Sequence, residues 1–400
     1  MPEVSSRGTA RPIDDGPFWR NLLPATLAAI LASYLLRAFW QPLHGLFGSY
    51  PSDIWYMHVN YSWFLVHRGF FEMEYPAGMF AFVKALSVVC QHLFSPTEPH
   101  PHGGLLYRYE DWLAVNSVAL GLAGVGISWC MHRLDAEFFH LRQGRLLWAF
   151  VWTPSFVFFT LFNYDALPVL CCTASLLALL RRDAVGSFLL LGIGTGVKIY
   201  PAVLMPLYLL GVPRGHRLEA TCWFLGALAA LNLPFLWLNP QAWWFPYHWQ
   251  MGFDQADQTG RFLYTLTTLL GKGPALLTMA SLALGMVAFA WRKMPQAPLD
   301  SPLWLARASL LLVGLFIFTK NVFSPQYLFW LLPFATLGTG YPFAGVASLV
   351  ELANIAEAFG LDYWRSGHEE GLAGIRLVRD LGLAALVAHT VVLLGRSRDD

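Results

Sequence analysis

Charged residues are scarce in this sequence. Lys, Arg, Asp and Glu make up 13% of its 400 residues, whereas a typical soluble domain carries about 25%. This deficit argues against a soluble enzyme, since hydrophobic residues account for 56% of the chain. The formal net charge of +1 also removes the usual electrostatic reason to expect a nucleic-acid partner.

Cysteine is sparse as well, and its spacing carries no recognisable pattern. The five cysteines include no CxxC pair, so the sequence indicates neither a zinc site nor a disulfide framework. Most of them lie in apolar stretches, where a free thiol behaves as a small hydrophobic side chain. The residues alone therefore indicate no metal and no cofactor.

Long apolar stretches recur along the whole chain, each near the roughly 17–25 residues that a membrane-spanning helix needs. Such segments should be helical, because the backbone must satisfy its own hydrogen bonds in hydrocarbon. We predict an all-α polytopic membrane protein, one integral-membrane domain over 1–400, with about 12 spanning or half-spanning helices. The candidate spans are 19–40, 109–131, 144–162, 165–181, 184–197, 199–212, 217–237, 274–291, 302–319, 325–340, 341–359 and 372–395.

Basic residues mark one side of these helices, which the positive-inside rule assigns to the cytoplasm. The pattern holds, with both termini inside, only if the stretch 76–95 does not cross the membrane. We therefore predict that 41–108 is one outer-face region, in which 76–95 is a re-entrant or interfacial helix, and that 238–273 is a second outer loop. The basic loops hold Arg133, Arg142 and Arg145; Arg181 and Arg182; Arg214 and Arg217; Arg292 and Lys293; and Arg396 and Arg398.

Two neighbouring stretches, 184–197 and 199–212, are too short to span comfortably at about 1.5 Å per residue. Pro201 and the glycines before it predict a break near Lys198. Non-helical backbone is tolerated at membrane depth where it lines a cavity. The glycines at 192, 194 and 196 resemble a phosphate loop only superficially, and their spacing favours close helix packing.

Polar residues from five separate segments fall at the predicted outer ends of the helices. Charges at helix ends often only mark the membrane interface, and Lys can extend its ammonium to water. Convergence of so many on one face instead favours an outward-facing site near the membrane surface. The candidate residues are Asp53, Glu74, Tyr75, Asp165, Lys198, Tyr200, Arg261, Lys320, Asn321, Ser324, Gln326 and Tyr327.

Three segments resemble motifs of integral-membrane mannosyltransferases: Gly196–Pro201 (GVKIYP), Thr319–Tyr327 (TKNVFSPQY) and Asn163–Leu167 (NYDAL). Taken together, with their order and spacing along the chain, the three motifs resemble the GT-C superfamily of glycosyltransferases. The nearest likeness is to bacterial polyprenol-phosphate-mannose-dependent α-mannosyltransferases and the eukaryotic first GPI mannosyltransferase. The resemblance runs from about Asp53 to about Trp330, over most of the chain.

The resemblance implies a polyprenyl-phosphate sugar donor and a lipid or glycolipid acceptor, joined at the periplasmic face of a bacterial plasma membrane. It also makes 41–108 the catalytic region, because family members carry their catalytic acid in the first outer loop, where Asp53 matches by position. The eukaryotic relatives have a DxD pair there. Here positions 51 and 55 are Pro and Trp, which leaves dependence on a divalent metal open.

One carboxylate suits the chemistry that this resemblance implies. The leaving group is a lipid phosphate, a weak base that needs charge stabilisation more than a proton. The acceptor hydroxyl must lose its proton, which a single general base within hydrogen-bond reach can take. Direct displacement would invert the anomeric configuration. Three outer-face cations are candidates for the phosphate, and the sequence does not distinguish them: Lys198, Arg261 and Lys320.

Two other classes of protein are compatible with the same set of predicted membrane helices. A transporter or lipid flippase would need polar residues through the membrane midplane and usually repeat symmetry, neither of which is evident. A non-catalytic assembly subunit would have no need of Asp53, so substitution of that residue separates it from an enzyme.

Thiol labelling tests the predicted topology. In a background without other cysteines, we expect His100→Cys to react with a membrane-impermeant reagent from the periplasmic side and Phe138→Cys to react only from the cytoplasm. Labelling of position 100 from the cytoplasmic side alone would show that the assignment of 41–108 to the outer face is wrong.

Overall fold

Helices dominate the described part of the computed structural model, and the predicted all-α fold is confirmed. One short ladder interrupts them, in which strand β1 (Glu98–Pro99) pairs antiparallel with strand β2 (Leu105–Leu106). The structure describes residues 16, 18–40, 54, 57–58, 72–95, 97–99, 105–140, 145–252, 269–294, 298–319, 324–339, 347, 349–357 and 369–396.

The first helices follow the predicted stretches closely. A π-helical turn over Phe18–Leu22 leads into α1 (Leu23–Trp40), and α2 (Ala77–Leu93) occupies the stretch predicted as re-entrant or interfacial. The next helix, α3 (Tyr109–Leu134), continues through a π-helical segment over Asp135–Phe139.

The predicted single span over 144–162 is instead two short helices, α4 (Arg145–Val151) and α5 (Pro154–Phe159). Pro154 has no N–H and fits the first turn of a helix but not its interior. The Thr153 hydroxyl caps the new helix, accepting from the Phe156 N–H at 3.2 Å while donating to the Phe150 carbonyl at 2.8 Å. The prediction of one span over 144–162 was therefore wrong, because Pro154 divides this apolar stretch into two helices.

The predicted break at Lys198 is present. The stretch 184–197 before it is one helix, but the stretch 199–212 after it is a 3₁₀ turn followed by a short helix rather than a second helix of similar length. Helices α6 (Ala166–Leu180) and α7 (Ala184–Val197) precede an extended Lys198, with φ −146° and ψ 142°. At about 1.5 Å per residue, they are about 22 and 21 Å long, shorter than the roughly 30 Å of the hydrocarbon core. A 3₁₀ turn over Tyr200–Leu204 then leads into α8 (Met205–Gly211).

The second half of the chain supplies the remaining helices. In order they are α9 (Arg217–Leu238), α10 (Pro240–Gly252), α11 (Lys272–Arg292), α12 (Pro302–Thr319), α13 (Tyr327–Thr339), α14 (349–357) and α15 (Glu369–Arg396). Helix α10 begins the predicted outer loop 238–273, which the sequence did not indicate. Within the described ranges, four segments are long and apolar enough to cross a membrane: Phe18–Ala38, Tyr109–Phe139, Arg214–Leu238 and Glu370–Gly395.

Loops that carry the basic residues meet at one end of the bundle. The Glu137 carboxylate accepts from Arg133 Nε at 2.6 Å and from Arg181 Nε at 2.8 Å, which ties the end of α3 to the end of α6. Nearby, Arg182 pairs with Asp300, just before α12. Since Arg181 follows the last residue of α6, the polar turn before α6 must lie toward the opposite end.

Glycines allow the helices around this opposite end to approach closely. A Cβ built on Gly192 of α7 would lie 2.5 Å from the Phe224 carbonyl oxygen of α9, and one on Gly78 of α2 would lie 2.5 Å from the carbonyl oxygen of Gly196. Both contacts are with backbone, which cannot swing aside. The predicted role of the α7 glycines in helix packing agrees with these contacts.

We expect Gly192→Ala to destabilise the protein by about 1–3 kcal/mol, because the added methyl group overpacks the α7–α9 contact. Gly226→Ala is the matched control, since nothing lies within 4 Å of the Cβ position there. The control should be neutral or stabilising by up to about 1 kcal/mol through helix propensity. Thermal unfolding of both variants in one detergent measures the difference, and equal midpoints would contradict the close packing.

Candidate active site

A buried carboxylate lies where the start of α6 meets the residue that follows α7. Asp165 immediately precedes α6 and is 0% exposed. Its Oδ1 accepts from Lys198 Nζ at 2.7 Å and from Trp330 Nε1 at 2.7 Å. Three segments far apart in sequence thus converge on one oxygen atom, and two of the predicted site residues, Asp165 and Lys198, are in direct contact.

Aromatic rings surround this ion pair. The Trp330 ring stacks on Tyr200, with centroids 4.1 Å apart and an interplanar angle of 7°, and it lies 4.1 Å from the ring of Tyr327. The ammonium of Lys198 lies 5.8 Å from the Tyr75 ring centroid and 5.6 Å from that of Trp330. The structure therefore brings together the three predicted tyrosines at 75, 200 and 327.

Trp330 is the residue that the sequence reasoning missed, although it lies just beyond the motif Thr319–Tyr327. It follows Tyr327 by three residues, and residues three apart share one face of a helix. That spacing was the available signal. The choice of an indole N–H as partner for Asp165 depends on packing between α13 and α6, which spacing does not reveal.

The charge of Lys198 is largely compensated within the protein. Its side chain is 12% exposed and that of Asp165 is 0% exposed, so both charges have left water. Removing one member of such a pair leaves the other buried and unpaired, which is strongly unfavourable. Lys198 is therefore a weaker candidate for binding a phosphate than a lysine without an acidic partner would be, because its ammonium already pairs with Asp165.

Unpartnered polar atoms lie beside the pair. Both side-chain amide atoms of Asn163 and the Oδ2 atom of Asp165 are buried without a hydrogen-bond partner in the described part of the structure. Most buried polar atoms in proteins have a partner. These atoms are therefore exceptions that the fold alone does not explain.

A tight turn that begins at Ser324 holds two more of the predicted residues, Ser324 and Gln326, and leads directly into Tyr327. The Ser324 hydroxyl donates to the Gln326 side chain, and the Tyr327 N–H donates to the Ser324 carbonyl at 2.9 Å. All three side chains are at most 8% exposed. From the C-terminal part of the chain, Asn354 donates to the Pro325 carbonyl at 2.8 Å, a contact that no sequence motif indicated.

Four of the predicted site residues lie outside the described residues: Asp53, Arg261, Lys320 and Asn321. Glu74 is half-buried and adjoins Tyr75. Across the described ranges, no group of three or more His, Cys, Asp or Glu side chains is arranged to hold a metal ion.

The segment beside Asp53 is anchored at the start of α3. The carbonyl of Ile54 accepts from Trp112 Nε1 at 3.1 Å, and His58 Nε2 lies 2.7 Å from the carbonyl oxygen of Tyr107. Both contacts are buried. They fix the two described ends of a short segment of the predicted outer-face region against a long helix.

An apolar groove of about 410 Å³ runs along the other side of α13. It lies among α4, α5, α13 and α14, and the buried carboxylate of Glu351 is one of its few charged or polar lining groups. Its lining includes Ala149, Trp152, Leu328, Leu332, Ala335 and Thr339.

A double-mutant cycle tests the buried ion pair. We expect Asp165→Asn and Lys198→Met each to destabilise the protein by about 3–5 kcal/mol, because each leaves an unpaired buried charge. The double variant should lose much less than the sum. Thermal unfolding in detergent measures the coupling, with Glu72→Gln, at an exposed carboxylate, as a neutral control. Additive losses would show that the two groups do not interact.

Comparison with known proteins bears on the fold and the family of the chain. No individual curated protein sequence matches the chain. The crystal structure of ArnT from Cupriavidus metallidurans bound to undecaprenyl phosphate has a TM-score of 0.50 and 17% identity, and the apo structure has a TM-score of 0.49 and 16% identity. Each comparison covers 95% of this chain and 77% of that chain.

The bound form supports the polytopic GT-C fold, and the apolar helices are those of an integral multi-pass membrane protein. The sequence model of glycosyltransferase family 87 matches residues 109–325, more than half of the chain. That range holds Asp165, Lys198 and the Ser324–Pro325 end of the turn. The chain therefore belongs to glycosyltransferase family 87 and is a membrane glycosyltransferase of the GT-C superfamily.

Proposed function

We propose that this glycosyltransferase takes mannose from a polyprenyl-phosphate lipid and transfers it, with inversion, to a lipid or glycolipid acceptor. The reaction takes place on the periplasmic side of a bacterial plasma membrane. The observation that carries the proposal is the polar, aromatic-lined site at the ends of α6 and α7. Both helices are shorter than the hydrocarbon core of a membrane. The site at their ends would therefore lie slightly below the membrane surface, where a lipid headgroup can reach it.

A lipid-linked donor agrees with the surroundings of the site. The ArnT structure that this chain resembles in fold contains undecaprenyl phosphate, and we extend that ligand class to this chain. The apolar groove along α13 would take part of a prenyl tail, because its apolar lining can make van der Waals contacts with the tail in place of the surrounding lipid. The same helix carries Trp330, so head and tail would bind to one element.

The transfer step that we propose uses one base. The Asp53 carboxylate takes the proton of the acceptor hydroxyl as the hydroxyl oxygen attacks the anomeric carbon of the sugar. The bond from that carbon to the phosphate oxygen breaks, and polyprenyl phosphate leaves with the electron pair. A β-linked donor would give an α-linked product.

Other residues bind the substrates in this proposal. The Asn163 Nδ2 atom would donate hydrogen bonds to sugar or acceptor hydroxyls, and the Asn163 Oδ1 atom and the free oxygen of Asp165 would accept hydrogen bonds from them. Glu74, Ser324 and Gln326 would make further hydrogen bonds to the substrates. The lipid phosphate would contact Arg261, Lys320 and Asn321, since Lys198 is already paired. An arginine suits this role because its planar guanidinium matches the geometry of phosphate oxygens.

Radiolabelled polyprenyl-phosphate mannose, added to membranes that contain the protein together with extracted lipid acceptors, tests the donor. We expect the label to enter a lipid product only when the protein is present. If the protein instead transferred another sugar from its polyprenyl phosphate, the proposal of mannose as the donor sugar would be wrong. Transfer from a nucleotide sugar alone would show that the lipid donor is wrong.

We expect Asp53→Asn to lower kcat about 10²–10⁴-fold, because an amide cannot take the proton. Binding of labelled donor lipid to the purified variant should stay unchanged. Asn also caps helices well, so a merely structural role at the segment that begins near Ile54 predicts almost normal turnover. Glu74→Gln is the comparison variant in the same region. If Asp53→Asn were active and Glu74→Gln inactive, Glu74 would be the base.

A further inference from the structure

Helix α14 carries an unusual set of buried polar side chains. Glu351, Asn354 and Glu357 recur every three residues and are 8%, 0% and 4% exposed. Residues at this spacing lie along one side of a helix. The stretch 349–357 lies beyond the region matched by the family model, which ends at 325, and no sequence motif accounted for it.

Each of these side chains contacts a different part of the protein. The carboxylate of Glu351 accepts from the Ser155 N–H at 2.7 Å, in the first turn of α5. A negative charge is favourable at a helix N-terminus, where backbone N–H groups lack partners. One helical turn further on, Asn354 donates from Nδ2 to the Pro325 carbonyl at 2.8 Å.

The third side chain is held by α15. Glu357 Oε1 accepts from Arg376 Nε at 2.8 Å, and its other oxygen pairs with Arg379. Arg379 also donates to Asp380 Oδ1, from Nε at 3.0 Å and from Nη2 at 2.9 Å. Four buried charged groups thereby compensate one another, and a set of this kind has one well-defined arrangement because misplacing any member leaves a buried charge unpaired.

The middle contact is the one that reaches the active site. The Pro325 carbonyl accepts from Asn354 Nδ2 at 2.8 Å and, at the longer distance of 3.5 Å, from the Leu328 N–H of α13. Asn354 is therefore the closer of these two donors, and it comes from another helix. Two residues later α13 begins at Tyr327, and one turn further on Trp330 donates to Asp165. A displacement of the Ser324–Tyr327 turn would therefore shift Gln326, Tyr327 and the indole that binds Asp165.

We propose that Asn354 is a positioning residue for sugar transfer, which it serves through the Ser324–Tyr327 turn. Helices α14 and α15 form a brace: α15 fixes Glu357, α5 fixes Glu351, and Asn354 between them sets the position of the turn. This inference rests on the proposed function for its kinetic consequence. Its geometric consequence is independent of which sugar is transferred.

The kinetic test uses Asn354→Leu, which keeps the number and branching of the side-chain heavy atoms and removes the donor. We expect kcat to fall about 10–100-fold while donor binding changes less than threefold, since small misplacements of reacting groups cost up to about 10²-fold. Asn354→Asp, which is nearly isosteric and directs only acceptors toward the Pro325 carbonyl, should behave alike. It serves as the variant to measure if the leucine variant does not fold.

The matched control is Thr390→Val on α15. Its hydroxyl is buried and donates to the Leu386 carbonyl of its own helix at 2.8 Å, so the substitution alters the same bundle without touching the turn. We expect a normal kcat for this control. A kcat for both Asn354 variants within twofold of the control would overturn the positioning role and leave Asn354 as a structural residue.

A second measurement needs no activity. In a background with Cys222→Ser, Gln326→Cys should react slowly with maleimide, because residue 326 is 6% exposed. Adding Asn354→Leu should raise the labelling rate at least fivefold as the turn loses its anchor, while adding Thr390→Val should not. Unchanged labelling would overturn the inference. If labelling becomes faster, but the protein with its native Gln326 and Asn354 transfers no sugar from a polyprenyl-phosphate donor, the brace is retained and the proposed function is refuted.

Discussion

The bond between Lys198 and Asp165 sets the arrangement of this active site, because both charges lie between short helices in a membrane protein. A lone charge at such depth is costly, and ionisable residues within membrane segments are found paired and facing the protein interior. Pairing therefore fixes where α6 and α7 can end relative to each other. The indole of Trp330 adds a third element to the same oxygen atom at 2.7 Å. The polar site follows from the need to satisfy this carboxylate.

The same constraint explains the glycines around it. The C-terminal part of α7, which leads to Lys198, lies close to α2 and α9. Gly78 and Gly196 meet backbone to backbone, and Gly192 faces the Phe224 carbonyl. Without a hydrophobic force between helices in lipid, such close approach by small residues is a main source of helix association. Packing and chemistry here use the same short stretch of chain.

The fold class and the break at Lys198 could be predicted because they depend on local properties, namely apolar length and the conformational limits of Gly and Pro. The division of 144–162 into α4 and α5 was missed because apolar composition was weighed above Pro154. The partners of Asp165 and Pro325 were beyond prediction for another reason. Trp330 and Asn354 lie 165 and 29 residues away in sequence, and only tertiary packing decides which donor reaches which oxygen.

Charge balance also bears on how the donor would be held. Since Lys198 compensates Asp165 and the arginines of α15 compensate Glu357 and Asp380, these cations are committed to the protein's own carboxylates. Under the proposed function the lipid phosphate would therefore be bound by other cations, for which we propose Arg261 and Lys320. The site would then separate two tasks. The paired charges would orient the sugar, and the two proposed cations would stabilise the negative charge that grows as the phosphate leaves, where electrostatic stabilisation contributes most to rate.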